Sequence, residues 1–109
     1  MISISSNFYQ AYILYSSIFI SPTIQILHLV DCGKLNYESI QHIVTNCVQL
    51  REINLTLTYL SENSVTFLAN NLTAKIEKVS LGRLESVKDE NVKTMVSRCR
   101  KLNELRYNS

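Results

Sequence analysis

Apolar residues recur along this chain in a fixed frame. The frame reads apolar-x-x-apolar-x-apolar, and its first clear copy runs from Ile24 to Leu29. Three further copies begin at Leu50, Ile76 and Leu102, so each copy starts 26 residues after the one before it. A constant interval of this length is typical of a solenoid, in which each repeat buries its apolar face against its neighbours.

Each unit of the frame predicts a strand, a turn and a helix. Residues 24–30 alternate with a period of two, as a strand with one buried face does. A helix then follows Asn36, a suitable N-cap, and runs to about Asn46. The second helix follows Ser61 and begins one residue early relative to the first. The predicted inner faces of the three helices are Ile40, Ile43 and Val44; Val65, Leu68, Ala69 and Leu72; and Val92, Met95 and Val96.

Strands that are joined through helices form a parallel sheet. We therefore predict an α/β solenoid over residues 22–109, with three repeats and a final strand. Its parallel strands would line the concave face and its helices the convex face. Residues 1–21 carry no charge and match the frame only in part, so we expect a degenerate repeat helix or an unstructured segment there.

The alternative for residues 1–21 is a secretory signal. No basic residue precedes the apolar stretch, which argues against a signal peptide. The apolar stretch from Phe8 to Ile20 is also shorter than the roughly 20 residues that a spanning helix needs. We therefore predict no membrane partner and an intracellular protein of the nucleus, the cytoplasm or both.

Charge and cysteine content exclude several kinds of site. The net charge is +2, with 11 basic and 9 acidic residues, and no basic stripe indicates a nucleic-acid partner. The three cysteines are Cys32, Cys47 and Cys99, without the spacing of a zinc site or a disulfide framework. His28 has no catalytic partner at a useful spacing, and His42 is expected to point outward from its helix. We predict no cofactor, no metal and no enzymatic activity.

Two cysteines mark the turns between helix and strand. The sequences Cys47-x-x-Leu50-x-x-Ile53 and Cys99-x-x-Leu102-x-x-Leu105 share one pattern. This pattern resembles the cysteine-containing leucine-rich repeats of F-box proteins, whose unit has about 26 residues. Residues 46–55, 61–82 and 92–105 carry the resemblance, which extends over residues 22–109. The cysteines would then be core residues.

The resemblance implies a role in ubiquitination. Proteins of that family are substrate-recognition subunits of SCF-type E3 ubiquitin ligases, and their repeats hold a target protein for ubiquitination and proteasomal degradation. The sequence contains no F-box, so the other SCF subunits would bind through a region that it lacks. The second hypothesis is a secreted or surface leucine-rich-repeat protein, for which Asn54 and Asn71 offer glycosylation sequons.

Within each strand, the residues that alternate with the apolar positions of the frame would form the protein-binding face. At an interval of 26 residues, one column is Ile26, Glu52, Lys78 and Glu104, the next is His28, Asn54, Ser80 and Arg106, and the third is Val30, Thr56, Gly82 and Asn108. The alternating charges of the first column could neutralise one another. The second column offers hydrogen-bond donors and a cation to a peptide or a phosphate. The predicted protein-binding residues are His28, Glu52, Asn54, Lys78, Ser80, Glu104 and Arg106.

A short array of repeats exposes apolar edges at its two ends, where solenoids normally carry polar caps. We therefore predict that the isolated chain is marginally stable or aggregates. Thermal unfolding followed by circular dichroism and light scattering measures this directly. A sharp, reversible transition from a monomer would contradict the prediction.

Overall fold

The computed structural model describes residues 2–4, 22–30, 35–81 and 87–107 of the chain. These residues form five strands and three helices. The strands are β1 (Ile2–Ile4), β2 (Ile26–Leu29), β3 (Glu52–Asn54), β4 (Lys78–Ser80) and β5 (Glu104–Arg106). The helices are α1 (Tyr37–Asn46), α2 (Glu62–Asn71) and α3 (Asp89–Arg98).

The strands form one parallel sheet in the order of the sequence. Ile53 of β3 pairs with Leu27 of β2 and Val79 of β4, and Val79 pairs with Leu105 of β5. Each of these pairs lies 26 positions apart, so the interval of the sequence frame is also the register of the sheet. The α/β class with a parallel sheet is thus confirmed.

Strand β1 was not predicted. It pairs with β2 one residue out of the frame, because Ile2 lies opposite Leu27 and Ile4 opposite Leu29. A degenerate repeat helix or an unstructured segment was expected over residues 1–21. Ile2–Ile4 form a strand instead, and the rest of that range lies outside the described residues. The sheet therefore has a strand on the far side of β2 that the apolar frame did not indicate.

One face of the sheet is buried beneath the helices. Leu27, Ile53 and Val79 point into a single apolar cluster together with Ile40 of α1 and Leu68 of α2, and each is at most 1% exposed. Helix α2 packs between α1 and α3. Burial of apolar side chains contributes about 1.5–3 kcal/mol each, so this cluster is the main source of stability.

Side-chain caps fix where the first two helices begin. The Asn36 side chain accepts a hydrogen bond from the Ser39 amide at 2.8 Å, and Ser61 accepts one from the Ser64 amide at 3.2 Å. Both predicted N-caps are confirmed. Because Tyr37 and Glu62 open their helices 25 residues apart, the predicted early start of the second helix is confirmed as well.

Helix α3 differs from α1 and α2 at its start, and from the sequence prediction on its inner face. Its N-cap is Lys88, whose side chain cannot accept a hydrogen bond from the first helical turn, and the Asn91 side chain instead accepts one from the Lys88 amide at 3.0 Å. The prediction that Val96 lies on the inner face is wrong, since Val96 is 57% exposed. Asn91 and Met95 are buried in α3, and Val92 is only partly buried. The inner face of α3 is therefore narrower and more polar than the apolar spacing indicated.

Regular hydrogen bonds precede and follow the short strands. The Gln25 carbonyl accepts from the amides of Arg51 and Glu52 at 2.7 and 3.0 Å, and the Arg51 and Glu77 carbonyls each accept two amides of the next strand in the same way. After β3, the buried Thr58 hydroxyl donates to the Leu29 carbonyl at 2.7 Å. Strands of three or four residues are thus tied to their neighbours beyond their own length.

None of the three helices in the described parts of the chain is long and apolar enough to cross a membrane. Each has ten residues, against the roughly 20 that a spanning helix requires.

Replacing Ile53 by alanine should lower the free energy of unfolding by about 2–5 kcal/mol, because it leaves a cavity at the centre of the sheet. Val96→Ala is the matched control, since Val96 is exposed, and it should change stability by less than about 0.5 kcal/mol. Urea unfolding of the two variants measures both values. Equal losses would show that Ile53 does not occupy the core.

Candidate functional site

The face of the sheet that points away from the helices, called the open face here, carries two rows of side chains. Register places Ile26, Glu52, Lys78 and Glu104 in one row and His28, Asn54, Ser80 and Arg106 in the other. These are the first two predicted columns, and both alignments are confirmed. Neighbouring members of a row lie about 4.8 Å apart along the hydrogen-bonding direction, so one extended ligand could reach several of them. Gly82 and Asn108 of the third column lie outside the described residues.

Six of the seven predicted binding residues line one shallow cleft on the open face. The cleft spans β3, β4 and β5, and its lining residues are Glu52, Ile53, Asn54, Lys78, Ser80, Glu104 and Arg106. His28, the seventh, lies one strand further along the sheet. An adjoining depression is lined by Ile26, Arg51, Glu52, Glu77 and Lys78. Sheet register thus gathers residues that are 26 and 52 positions apart in the sequence.

His28 contacts Glu52 of the neighbouring strand, a pairing that the sequence spacing did not indicate. Its Nε2 lies 2.5 Å from Oε2 of Glu52, and both side chains are about a quarter exposed. The two residues are 24 positions apart, so they contact each other diagonally between the two rows. One of the two carboxylate oxygens of Glu52 is therefore already in contact with His28.

The second row contains a hydroxyl and amide network. The Asn54 Oδ1 accepts from the amide of Thr56 at 3.0 Å and from its hydroxyl at 2.5 Å. The Thr56 and Ser80 hydroxyl oxygens lie 3.0 Å apart. Because the Thr56 proton is directed to Asn54, Ser80 is the donor in that contact. The network fixes the orientation of the Asn54 amide, whose Nδ2 donates to no group among the described residues and could donate to a ligand.

Charges on the open face do not pair along the first row. Glu52 contacts His28, and Glu104 lies 3.7 Å from Arg106 on its own strand. Lys78 makes no ion pair within 4 Å among the residues that the structure describes, and it is exposed. Glu52, Lys78 and Glu104 thus form no ion pair with one another within 4 Å. Lys78 and Arg106 are the cations of the cleft.

An ion pair beside the cleft was missed by the sequence prediction. Arg51 Nε lies 2.7 Å from Oε2 of Glu77, and Nη2 lies 3.4 Å from Oε1. The hydrogen bond and the charge of Arg51 lower the pKa of Glu77, and Glu77 raises the pKa of Arg51 in return. The two residues are 26 positions apart with opposite charges, and that spacing was the available signal. Lys75 makes a second contact across 26 positions, since its Nζ donates to Gln49 Oε1 at 2.6 Å.

The basic residues near the end of α3 do not act as one group. Arg98 donates to the carbonyls of Ala69 and Leu72 at 3.0 Å each. It therefore satisfies the last carbonyls of the neighbouring helix α2, rather than those of its own helix. Lys93, Arg100 and Lys101 are exposed. Arg98 thus has a structural role, because it links the end of α3 to the end of α2.

Three further candidates from the sequence are located by the structure. Cys47 and Cys99 are 2% and 1% exposed, which confirms them as core residues, and burial raises the pKa of the Cys99 thiol. Cys32 lies outside the described residues. The prediction that His42 points outward is wrong, since its Nε2 is buried and its Nδ1 lies 3.3 Å from Nδ2 of Asn46.

No cluster of three or more His, Cys, Asp or Glu residues could hold a metal ion within the described ranges. The open face offers instead the Asn54 amide donor, hydroxyl oxygens that can accept, two cations and partly occupied carboxylates. Such groups can hold a polypeptide by hydrogen bonds and charge pairs.

Comparison with known proteins returned no match, whether to a family model, to a curated protein or to a solved structure.

The Glu77→Gln variant should melt at a lower temperature than the wild type at neutral pH, because it removes the charge that pairs with Arg51. The pKa of Glu77 is lowered in the folded state, so its contribution is full above the ordinary value of 4.5 and is lost as pH falls through the lowered value. The melting temperatures of the wild type and of Glu77→Gln should therefore differ at neutral pH and converge as the pH falls below 4.5. A difference that persists in acid would contradict a role for the Glu77 charge.

Proposed function

We propose that this chain is a segment of a leucine-rich-repeat solenoid that binds a protein on the open face of its sheet. The observation that carries this proposal is the 26-residue register, which keeps buried leucines on one face and aligned polar residues on the other. Solenoids of this kind use their extended concave surface for binding. The open face would be that concave surface, with the helices on the convex side.

The sequence resemblance makes the proposal more specific. The cysteine-containing repeats resemble those of F-box proteins, and most of all the middle repeats of S-phase kinase-associated protein 2. We therefore propose the substrate-recognition segment of an SCF-type E3 ubiquitin ligase in the nucleus or cytoplasm. It would hold a target protein while other subunits transfer ubiquitin, without chemistry of its own.

The geometry of the cleft supports recognition of a polypeptide. The backbone of three adjacent strands holds Asn54, Ser80 and Arg106 in one row at fixed spacing. Donors that are already oriented lose less entropy on binding than mobile ones do. Lys78 and Arg106 would pair with acidic or polar groups of the target, and Asn54 Nδ2 would donate to one of its carbonyls.

Affinity purification of the full-length gene product tests the ligase assignment. We expect it to recover SCF subunits together with a ubiquitinated client. Recovery of neither would contradict the assignment, whereas a client without SCF subunits would leave only the binding role.

Charge reversal separates the open face from the rest of the surface. The double variant Lys78→Glu, Arg106→Glu should weaken client binding by at least about tenfold, since charged contacts at an interface centre are often worth 2 kcal/mol or more. Lys93→Glu, on the exposed side of α3, is the matched control and should leave binding unchanged. Recovery of the SCF subunits should be the same for all variants. Equal client loss in the control would exclude the open face as the specific site.

A further inference from the structure

The loop between β3 and α2 presents two large apolar side chains to solvent. Leu57 is 62% exposed and Tyr59 is 58% exposed, whereas Thr58 between them is 1% exposed. Leu57 also has a φ of 62°, in the left-handed region that a branched, bulky residue rarely adopts. This residue is therefore held in an unfavourable backbone conformation and in an unfavourable solvent environment at the same time.

Hydrogen bonds on both sides of Leu57 hold the loop in place. Before it, the Asn54 side chain accepts from the Thr56 amide and hydroxyl. After it, the Thr58 hydroxyl donates to the Leu29 carbonyl at 2.7 Å, and the Tyr59 carbonyl accepts from the Leu35 amide at 3.2 Å. The loop is thus hydrogen-bonded to the end of β2 and to the segment before α1. These bonds hold Leu57 in an exposed position next to the Asn54 end of the open face.

The surrounding charges indicate what kind of partner fits. The strands end and the helices begin at the same edge of the sheet. This edge, called the strand-end rim here, includes the loop between β3 and α2 and the first turns of the helices. The charged residues at the helix starts of this rim, among those described, are Glu38, Glu62, Lys88, Asp89 and Glu90. Four are acidic and one is basic, and Lys88 pairs with Glu62. An acidic rim favours a basic partner, and it disfavours nucleic acid or the same rim of a second copy.

We infer that Leu57 and Tyr59 form an apolar anchor for a partner polypeptide segment that combines apolar side chains with lysine or arginine. The apolar residues of the segment pack on Leu57 and Tyr59, and its cations lie over the acidic strand-end rim. This inference rests on the proposed protein-binding function and extends the binding surface from the open face to its rim.

The test uses the full chain and a phage-displayed library of random 15-residue peptides as the probe. Selected peptides are synthesised with a fluorescent label, and their dissociation constants are measured by anisotropy. We expect sequences that combine aromatic or aliphatic residues with lysine or arginine, and affinities that fall as salt is raised. Failure to select any binder, or selection of acidic sequences, would overturn the inference.

Leu57→Gly is the decisive variant, because glycine adopts a positive φ without strain. It should melt at the same temperature as the wild type or higher, yet bind the peptides at least about tenfold more weakly. Tyr59→Ser should also weaken binding. Val96→Ser removes an apolar side chain of similar exposure from α3 and should bind as the wild type does.

Two outcomes of the variant series would overturn the inference. In the first, Leu57→Gly retains wild-type affinity. In the second, its affinity falls only together with its melting temperature, as for a purely structural residue. The open-face variant Lys78→Glu, Arg106→Glu keeps the two proposals distinguishable. Suppose that Lys78→Glu, Arg106→Glu loses client binding while Leu57→Gly binds the peptides as the wild type does. The open face would then remain the proposed binding site, and the strand-end rim would be excluded as a binding site.

Discussion

The structure depends on a single constraint, the burial of one row of apolar side chains between the sheet and the helices. Leu27, Ile53 and Val79 pair across strands of only three or four residues, and each is at most 1% exposed. Strands so short make few hydrogen bonds of their own. Their register is fixed because a shift by one residue would turn every apolar side chain to solvent.

The same constraint produces the candidate site. Since successive side chains of a strand alternate between its two faces, fixing the leucines inward fixes their neighbours outward. Glu52, Lys78 and Glu104 are therefore aligned in one row although they form no ion pair with one another within 4 Å. The open face is a consequence of core packing, and its chemistry can vary without disturbing the fold. Fold and surface chemistry are thus set by different residues of the same strands.

Periodicity made most of the fold predictable from the sequence. It indicated four of the five described strands, two of the helix caps and both rows of the open face, because these features follow directly from backbone register. Side-chain contacts that depart from the register could not be predicted in the same way. His28 contacts Glu52 diagonally, and Arg98 reaches past its own helix to the end of α2. Both contacts depend on side-chain conformation, about which spacing carries no information.

Other errors came from weak or interrupted patterns. Val96 matched the apolar spacing of α3, but the buried positions of that helix include Asn91 and Met95, so Val96 faces solvent. Strand β1 has three residues and lies outside the 26-residue frame by one position, which leaves no periodic signal. The positive φ of Leu57 has no signal either, since glycine or asparagine would normally mark such a turn.

Backbone NOE contacts between neighbouring strands are the most direct measurement of the register on which the fold and the open face both depend. We expect contacts that align Ile53 with Val79 and Val79 with Leu105. We also expect contacts that align Asn54 with Ser80 in the second row. Contacts displaced by one residue in any of these pairs would contradict this register, because the polar rows would then face the helices.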